Sequence, residues 1–172
     1  MTKSKRKKHA APALTLIVEN SAWRDRKDVL ALLRRAAKLA LGAPSLLPEE
    51  PVSRAATVLL SNDKRLRDLN HTFRGKNRPT NVLSFPADDP AYLGDVALGL
   101  ETVAKEARAQ NKTLAAHAAH LAIHGVLHLL GYDHAEDAEA KAMESLEIQL
   151  LAKLGIGNPY APVPYTAKGK AA

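Results

Sequence analysis

Three histidines at short, regular intervals constrain this chain more than any other feature. His124 and His128 stand four residues apart in the run from Thr113 to Leu130, which is rich in Ala and Leu and has no Pro. Because four residues make about one helical turn, both imidazoles lie on one face of a predicted helix. Gly131 suits the left-handed position that ends a helix, and this turn can bring His134 back toward the other two.

This histidine spacing predicts a metal site. Three neutral imidazoles that converge on one point make a good zinc site, and three protein ligands leave the fourth tetrahedral position open for water. The sequence therefore predicts one Zn²⁺ per chain, bound by His124, His128 and His134. Imidazoles also bind nickel, copper and iron, so the spacing alone does not identify the metal.

Other residues near this motif have two interpretations each. His120 lies one further turn before His124, and His117 lies close to it. A second metal is the weaker interpretation, because no third ligand can be identified there. Asp133 either orients a ligand imidazole or caps a turn.

The same spacing occurs in the H-E-x-x-H-x-x-G-x-x-H pattern of metzincin proteases, but Gly125 stands where those proteases have Glu. That Glu is the general base that activates water, and Gly cannot replace it. Gly inside a helix also costs about 1 kcal/mol relative to Ala, so we expect another part of the chain to approach this position closely. A metalloprotease is therefore disfavoured.

Residues 124–134, H-G-V-L-H-L-L-G-Y-D-H, resemble the signature of the YbeY family, which comprises single-strand-specific metal endoribonucleases of ribosomal RNA maturation and ribosome quality control. Residues 69–86 are similar to that family's second marked stretch, and residues 93–96 resemble its following strand motif. Asn81 stands where many members have Asp, which argues against an essential acid or base role for this side chain.

The resemblance implies a metal-dependent endoribonuclease that acts on single-stranded ribosomal RNA, including the 16S rRNA 3′ end. It implies a cytoplasmic protein whose partners are RNA and the ribosome or small-subunit proteins. The alternative is a non-catalytic ribosome assembly factor, in which zinc only stabilises the fold. For that factor, a protein side chain would fill the fourth coordination position.

The expected site residues follow from these motifs. Arg74 would clamp phosphoryl oxygens, because its planar guanidinium matches phosphate geometry and stays charged. The catalytic residues would be Arg74, His124 and His128. The substrate contacts would be Arg74, Lys76, Arg78 and Ser84, although the Ser84 hydroxyl is equally suited to bond the backbone. No general base can be identified.

Charge is distributed unevenly along the chain. The net charge is +7, but the two ends contain seven of the 25 basic residues and none of the 18 acidic ones, so the body is neutral. Residues 62–80 have six basic side chains against two acidic ones. The predicted last helix has a net charge of −4 through residue 150, and this acidic side should repel RNA; its charged residues are Glu136, Asp137, Glu139, Glu144 and Glu147 against Lys141. Aromatic residues make up only 4%, so we expect limited base stacking and specificity that comes from partners.

The pattern of apolar residues predicts a single α+β domain, with a mixed sheet of about four strands, about five helices and the metal-binding helix across the sheet. We expect the domain to span residues 1–160 with a basic tail at 1–9, followed by a disordered tail at 161–172. Cysteine is absent, and no apolar run reaches the roughly 20 residues that span a membrane. The predicted strands are 14–18, 54–60, 82–85 and 92–98, and the predicted helices are 24–41, 63–73, 100–111, 113–130 and 135–154.

Overall fold

A four-stranded mixed sheet forms the centre of the computed structural model, which describes residues 11–162. Its strands are β1 (Ala13–Val18), β2 (Ala55–Ser61), β3 (Val82–Asp89) and β4 (Tyr92–Gly99), in the order β1-β2-β4-β3. β1, β2 and β4 are parallel, and β3 pairs antiparallel with β4. The predicted mixed sheet is confirmed, and β3 and β4 form a hairpin.

Six helices accompany the sheet among the described residues, which confirms the predicted α+β class. They are α1 (Ser21–Arg24), α2 (Lys27–Leu41), α3 (Asp63–Arg74), α4 (Leu100–Ala109), α5 (Leu114–Leu129) and α6 (Asp137–Ala152). The prediction missed α1, a single turn that Asn20 caps. This turn forms because Trp23 is fully buried there and donates its indole N–H to Ser61 O at 2.9 Å.

The main hydrophobic core lies between α5 and its neighbours. α5 packs against α2, α4 and α6 as well as β3 and β4, which explains why its sequence is apolar on almost every side. The opposite face of the sheet has a small separate cluster under α3, formed by Leu66, Leu83 and Ala97. The predicted position of the metal-binding helix across the sheet is confirmed.

β3 extends past the residue where the sequence predicted its end. Pro86 has no backbone N–H, so the strand was expected to stop at Phe85. Because β3 is an edge strand, Pro86 needs no partner on its open side and still pairs in register with Gly94. Gly94 is required there, since its φ is +132° and a Cβ would lie 2.1 Å from Phe85 O.

The segment after α6 contributes to the core, although the predicted elements end at residue 154. Ile156 packs against the main core, and its N–H bonds Leu151 O at 3.0 Å. Lys112 Nζ donates to Pro159 O at 2.7 Å and ties this segment to the end of α4. The chain therefore folds back over the body as far as Tyr160.

Both predicted tails fall largely beyond the described part of the chain. The basic tail at 1–9 lies outside it entirely, and only Ala161 and Pro162 of the expected C-terminal tail lie within it. Within residues 11–162, no helix has the length and hydrophobicity that a membrane span requires.

Candidate metal centre and active site

The three histidines converge at the C-terminal end of α5. His124 and His128 stand on one face of the helix, with their Nε2 atoms 3.1 Å apart. One ligand nitrogen from each of His124, His128 and His134 lies within 4.8 Å of the other two. The predicted histidine triad therefore assembles as a group that can hold a metal ion.

The end of α5 brings His134 to this position. Tyr132 N donates to Leu127 O at 3.0 Å and Gly131 N donates to His128 O at 3.1 Å, which together form a Schellman motif. Gly131 has a φ of +91°, and a Cβ there would lie 3.1 Å from the Leu46 and Leu47 backbone. A glycine is therefore needed at the turn that reverses the chain, as the sequence predicted.

Hydrogen bonds select the tautomer of both helix histidines. His128 Nδ1 lies 2.9 Å from the carbonyl oxygen of Tyr132, so this nitrogen holds the proton and donates it. His124 Nδ1 lies 2.7 Å from Glu147 Oε1 and donates to that carboxylate. Both rings therefore present the lone pair of Nε2 to the same point, which is the arrangement that metal coordination needs.

Glu147 is a completely buried carboxylate that holds this arrangement in place. Burial alone would raise its pKa, but hydrogen bonds with His120, His124 and Tyr160 outweigh burial and lower the pKa to about 2. His120 Nε2 lies 3.4 Å from Glu147 Oε2, and the Tyr160 hydroxyl donates to the same oxygen. Glu147 is therefore ionised and able to accept from all three neighbours.

Glu147 lies in the core, so the prediction that it belongs to the acidic side of the last helix is wrong. The buried side chains of α6 are Met143, Glu147, Leu150 and Leu151. They follow a helical spacing of four, seven and eight residues, so Glu147 stands on the apolar stripe. An acid on that stripe was the signal that could have identified it. Nothing in the sequence indicated that Tyr160 would contact it.

The donor set fits a tetrahedral metal ion. Zinc–nitrogen bonds of about 2.0–2.1 Å place tetrahedral nitrogens about 3.3 Å apart, close to the separation of His124 and His128 Nε2. Burial and the neighbouring His124 lower the pKa of His128, which favours the neutral form that binds metal. Within the described residues, the group that includes this triad has no fourth His, Asp or Glu ligand.

Gly125 is where the sheet approaches α5, as its cost inside a helix suggested. A Cβ there would lie 2.4 Å from Val96 Cγ1 and 3.2 Å from Ser84 Oγ. Ser84 Oγ donates to Gly125 O at 3.0 Å, which confirms that this hydroxyl bonds the backbone. The position of the protease base is thus filled by strand side chains.

A cavity of about 610 Å³ opens beside the three histidines. Arg74 and Ser84 line it, together with Asn81, Val82, Pro86, Gly131, Tyr132 and Asp133. Lys76 and Arg78 are exposed and do not line this cavity. Of the expected substrate contacts, the fold thus gathers Arg74 and Ser84 with the metal ligands and leaves the other two on the neighbouring surface.

The remaining polar candidates have structural partners. Asp133 Oδ1 accepts from His134 N at 2.8 Å, so its carboxylate caps the turn. Asn81 Nδ2 donates to the Glu106 carboxylate at 2.9 Å, and Asn81 Oδ1 accepts from Val82 N. His117 Nε2 also bonds Glu106, at 2.8 Å.

Comparison with known proteins supports the same conclusion as the geometry. Residues 18–155 match the model of the family described as Endoribonuclease YbeY. A protein named Endoribonuclease YbeY from Azorhizobium caulinodans is 46% identical over 154 residues, covering 86% of this chain and 96% of that protein. One of the same name from Nitrobacter winogradskyi is 42% identical over 163 residues, covering 89% of this chain and 84% of that protein.

A solved structure supports the fold. The solution structure of a Thermotoga maritima protein matches 92% of this chain and 99% of its own, with a TM-score of 0.50 and 24% identity. The family match spans every element from the end of β1 to the end of α6, including all three histidines, Arg74 and the turn at Gly131. This chain is a member of the endoribonuclease YbeY family.

Proposed function

We propose that this protein is a metal-dependent endoribonuclease that hydrolyses phosphodiester bonds in single-stranded RNA. The observation that carries this proposal is the shared cavity, in which the histidine triad and Arg74 face the same space. The name of its relatives, Endoribonuclease YbeY, supports the reaction class. The target we propose is ribosomal RNA, at the 16S rRNA 3′ end and in ribosome quality control.

The proposed cofactor is one zinc ion per chain, held by His124, His128 and His134. The set of three imidazole donors supports zinc in a site with an open fourth position. A metal ion in such a site supplies Lewis acidity and lowers the pKa of water that it binds. The catalytic residues of this proposal are Arg74, His124 and His128.

Arg74 is suited to bind the phosphodiester at the reacting bond. Its side chain is exposed at the end of α3, and among residues 11–162 no carboxylate lies within ion-pair distance of it. A guanidinium that is not neutralised can hold two phosphoryl oxygens, and it stabilises the charge that grows on them as the bond to the nucleophile forms. Its position at the cavity therefore suits a phosphate clamp.

The other proposed contacts lie around this clamp. Lys76 and Arg78 are exposed beside it and are placed to attract phosphates that flank the cleaved bond. Ser84 donates its proton to Gly125 O, so its oxygen retains lone pairs that can accept from a ribose hydroxyl. Substrate binding would then combine charge on the surface with one hydroxyl inside the cavity.

The geometry disfavours the two alternatives. A zinc-braced assembly factor would fill the fourth coordination position with protein, whereas the ligand group in the described chain stops at three histidines beside an open cavity. A metalloprotease needs a carboxylate base where this chain has Gly125, and Val96 leaves no room for a larger side chain there.

We propose that residues 1–160 form the functional domain and that the basic tail at 1–9 adds attraction to RNA phosphates. The proposed setting is the cytoplasm, with the ribosome or small-subunit proteins as partners. Binding of purified small ribosomal subunits, with and without residues 1–9, tests this part. Unchanged binding after the deletion would contradict the role of the tail.

An end-labelled single-stranded RNA incubated with metal-replete protein tests the activity. We expect cleavage by the wild type and none by His128→Ala, which loses a ligand. Arg74→Ala should lower the cleavage rate by about a hundredfold or more while metal content stays at one ion per chain. Arg34→Ala, which removes the same charge from the exposed face of α2, is the matched control.

Each outcome of this experiment is informative. Bound metal without cleavage, on free RNA and on ribosomes alike, would support the assembly factor over the nuclease. Loss of metal from Arg74→Ala would make Arg74 a structural residue and not a phosphate clamp. Elemental analysis of the purified protein would contradict zinc if another metal is present at one ion per chain.

A further inference from the structure

Phe73 is a large aromatic side chain that the fold leaves uncovered. It is 64% exposed near the end of α3. Its ring meets Phe85 edge to face, with ring centroids 5.1 Å apart. Phe85 is itself packed against the cluster of Leu66, Leu83 and Ala97. One ring is therefore anchored in the protein, and it holds the second ring at the surface.

This aromatic pair lies next to Arg74, at the edge strand β3, whose other face borders the cavity beside the three histidines. Phe73 directly precedes Arg74, which lines the cavity, whereas Phe85 alternates with Ser84 and Pro86 along β3 and packs on the α3 face of the sheet. An extended strand whose phosphate is held by Arg74 at the cavity can cross the edge of β3 and bring a neighbouring base to the exposed ring. The pair is placed to contact a part of the substrate adjacent to the reacting bond.

The basic side chains around Phe73 indicate which class of ligand this surface would bind. Residues 71–80 contain Arg74, Lys76 and Arg78 and no acidic residue, and all three basic side chains are exposed. Within the described chain none of the three has a carboxylate within 4 Å. An exposed aromatic face among unneutralised cations suits a polyanion with flat, apolar bases, and single-stranded nucleic acid has both features.

We propose that Phe73 is a stacking platform for one unpaired RNA base next to the cleaved phosphate. This inference rests on the proposed nuclease function and adds a substrate contact to it. Phe73 stacks the base while Arg74 holds the neighbouring phosphate, so the two side chains together set where the strand lies relative to the histidines. The scarcity of aromatic residues does not exclude stacking, because one positioned ring is sufficient for one base.

Binding of fluorescein-labelled U12 to metal-free protein tests this platform without cleavage, beside an abasic sugar–phosphate strand of the same length. We expect Phe73→Leu to weaken U12 binding by about fivefold or more, and to change binding of the abasic strand less than twofold. Ile17→Ala removes another exposed apolar side chain, from the opposite edge of the sheet, and should change neither. Thermal unfolding of each variant checks that the fold is intact.

A second variant reports contact directly. Phe73→Trp should keep U12 affinity within about twofold, and the fluorescence of the introduced indole should be quenched by U12 and not by the abasic strand. The native Trp23 is fully buried and provides a constant background. The stacking proposal would be overturned if Phe73→Leu weakened binding of U12 and of the abasic strand equally, or of neither. It would also be overturned if U12 did not quench the fluorescence of the introduced indole.

The nuclease function and the stacking contact can be refuted independently of each other. A wild type that binds U12 through Phe73 but never cleaves RNA would refute the nuclease function and leave the stacking contact in place. A wild type that cleaves RNA while Phe73→Leu binds U12 normally would refute the stacking contact alone.

Discussion

Glu147→Gln should weaken metal binding although residue 147 is not itself a ligand. The carboxylate accepts from His124 Nδ1 at 2.7 Å, and its other oxygen accepts from Tyr160. Glutamine has one carbonyl oxygen and one NH₂ group, and the NH₂ group can donate to the Tyr160 hydroxyl, which also accepts. The carbonyl oxygen that then accepts from His124 Nδ1 is neutral and holds the proton less firmly than the carboxylate, so the tautomer with its lone pair on Nε2 is less favoured.

The size of the effect follows from this hydrogen bond. A bond to a charged acceptor contributes about 1.5–3 kcal/mol and a neutral one about 0.5–1.5 kcal/mol. The difference of roughly 1–2 kcal/mol corresponds to a loss of metal affinity of about 5- to 30-fold. Changes to residues that orient metal ligands typically cost about 10- to 100-fold in affinity. We therefore expect a loss of about tenfold.

Competition with a chelator of known zinc affinity measures this loss. Glu139→Gln makes the same chemical change at an exposed position in the first turn of α6 and is the control. Urea unfolding of the metal-free proteins separates metal affinity from stability, because neutralising a buried charge can itself stabilise or destabilise a fold. Zinc affinity equal to that of the wild type in a folded Glu147→Gln variant would refute the orienting role.

Three further predictions follow from other contacts. Gly125→Ala should lower the free energy of unfolding by about 1–3 kcal/mol, because its Cβ would lie 2.4 Å from Val96 Cγ1. Urea unfolding measures this loss, and an unchanged midpoint would show that α5 can move away from the sheet at no cost. Asn81→Asp should lower the free energy of unfolding by about 1–2 kcal/mol at pH 7, because it places a carboxylate against Glu106 in place of the amide donor. Adding Glu106→Gln in the same chain should recover this stability. The metal-free protein should lose stability as the pH falls from 7.5 to 5.5. Burial lowers the pKa of His117 below its ordinary 6.5, so the unfolded chain binds the proton more readily than the folded one. The free energy of unfolding of His117→Gln should depend less steeply on pH, and equal slopes for both proteins would contradict this explanation.

Much of the site could be predicted from local sequence. The spacing of His124 and His128 placed both rings on one helix face, and Gly131 indicated the reversal that returns His134. Gly125 indicated a close approach to α5, which Val96 and Ser84 make. These predictions succeeded because helix periodicity and left-handed turns depend on residues within a few positions of each other.

Contacts between distant segments were harder to predict from the sequence. The charge pattern of the last helix predicts an acidic side that includes Glu147, yet this carboxylate is buried. The predicted elements end at residue 154, yet Ile156 packs against the core and Tyr160 reaches Glu147. β3 was predicted to end before Pro86, since an edge position cannot be recognised from the strand itself. Each error concerned a residue whose environment is supplied by another element.

The longer helices and strands, the histidine triad and the family resemblance can be recognised from the sequence, because they depend on composition and spacing along the chain. The distant groups that meet the triad are known only from the folded chain. Folding placed Arg74 and Ser84 in one cavity with the histidines, and it put Glu147 against His124. The spacing along one helix can place an acid on an apolar stripe, as for Glu147, but it does not show which side chains of other elements will meet that acid or Arg74. Packing against other elements sets their burial, hydrogen-bond partners and charge environment.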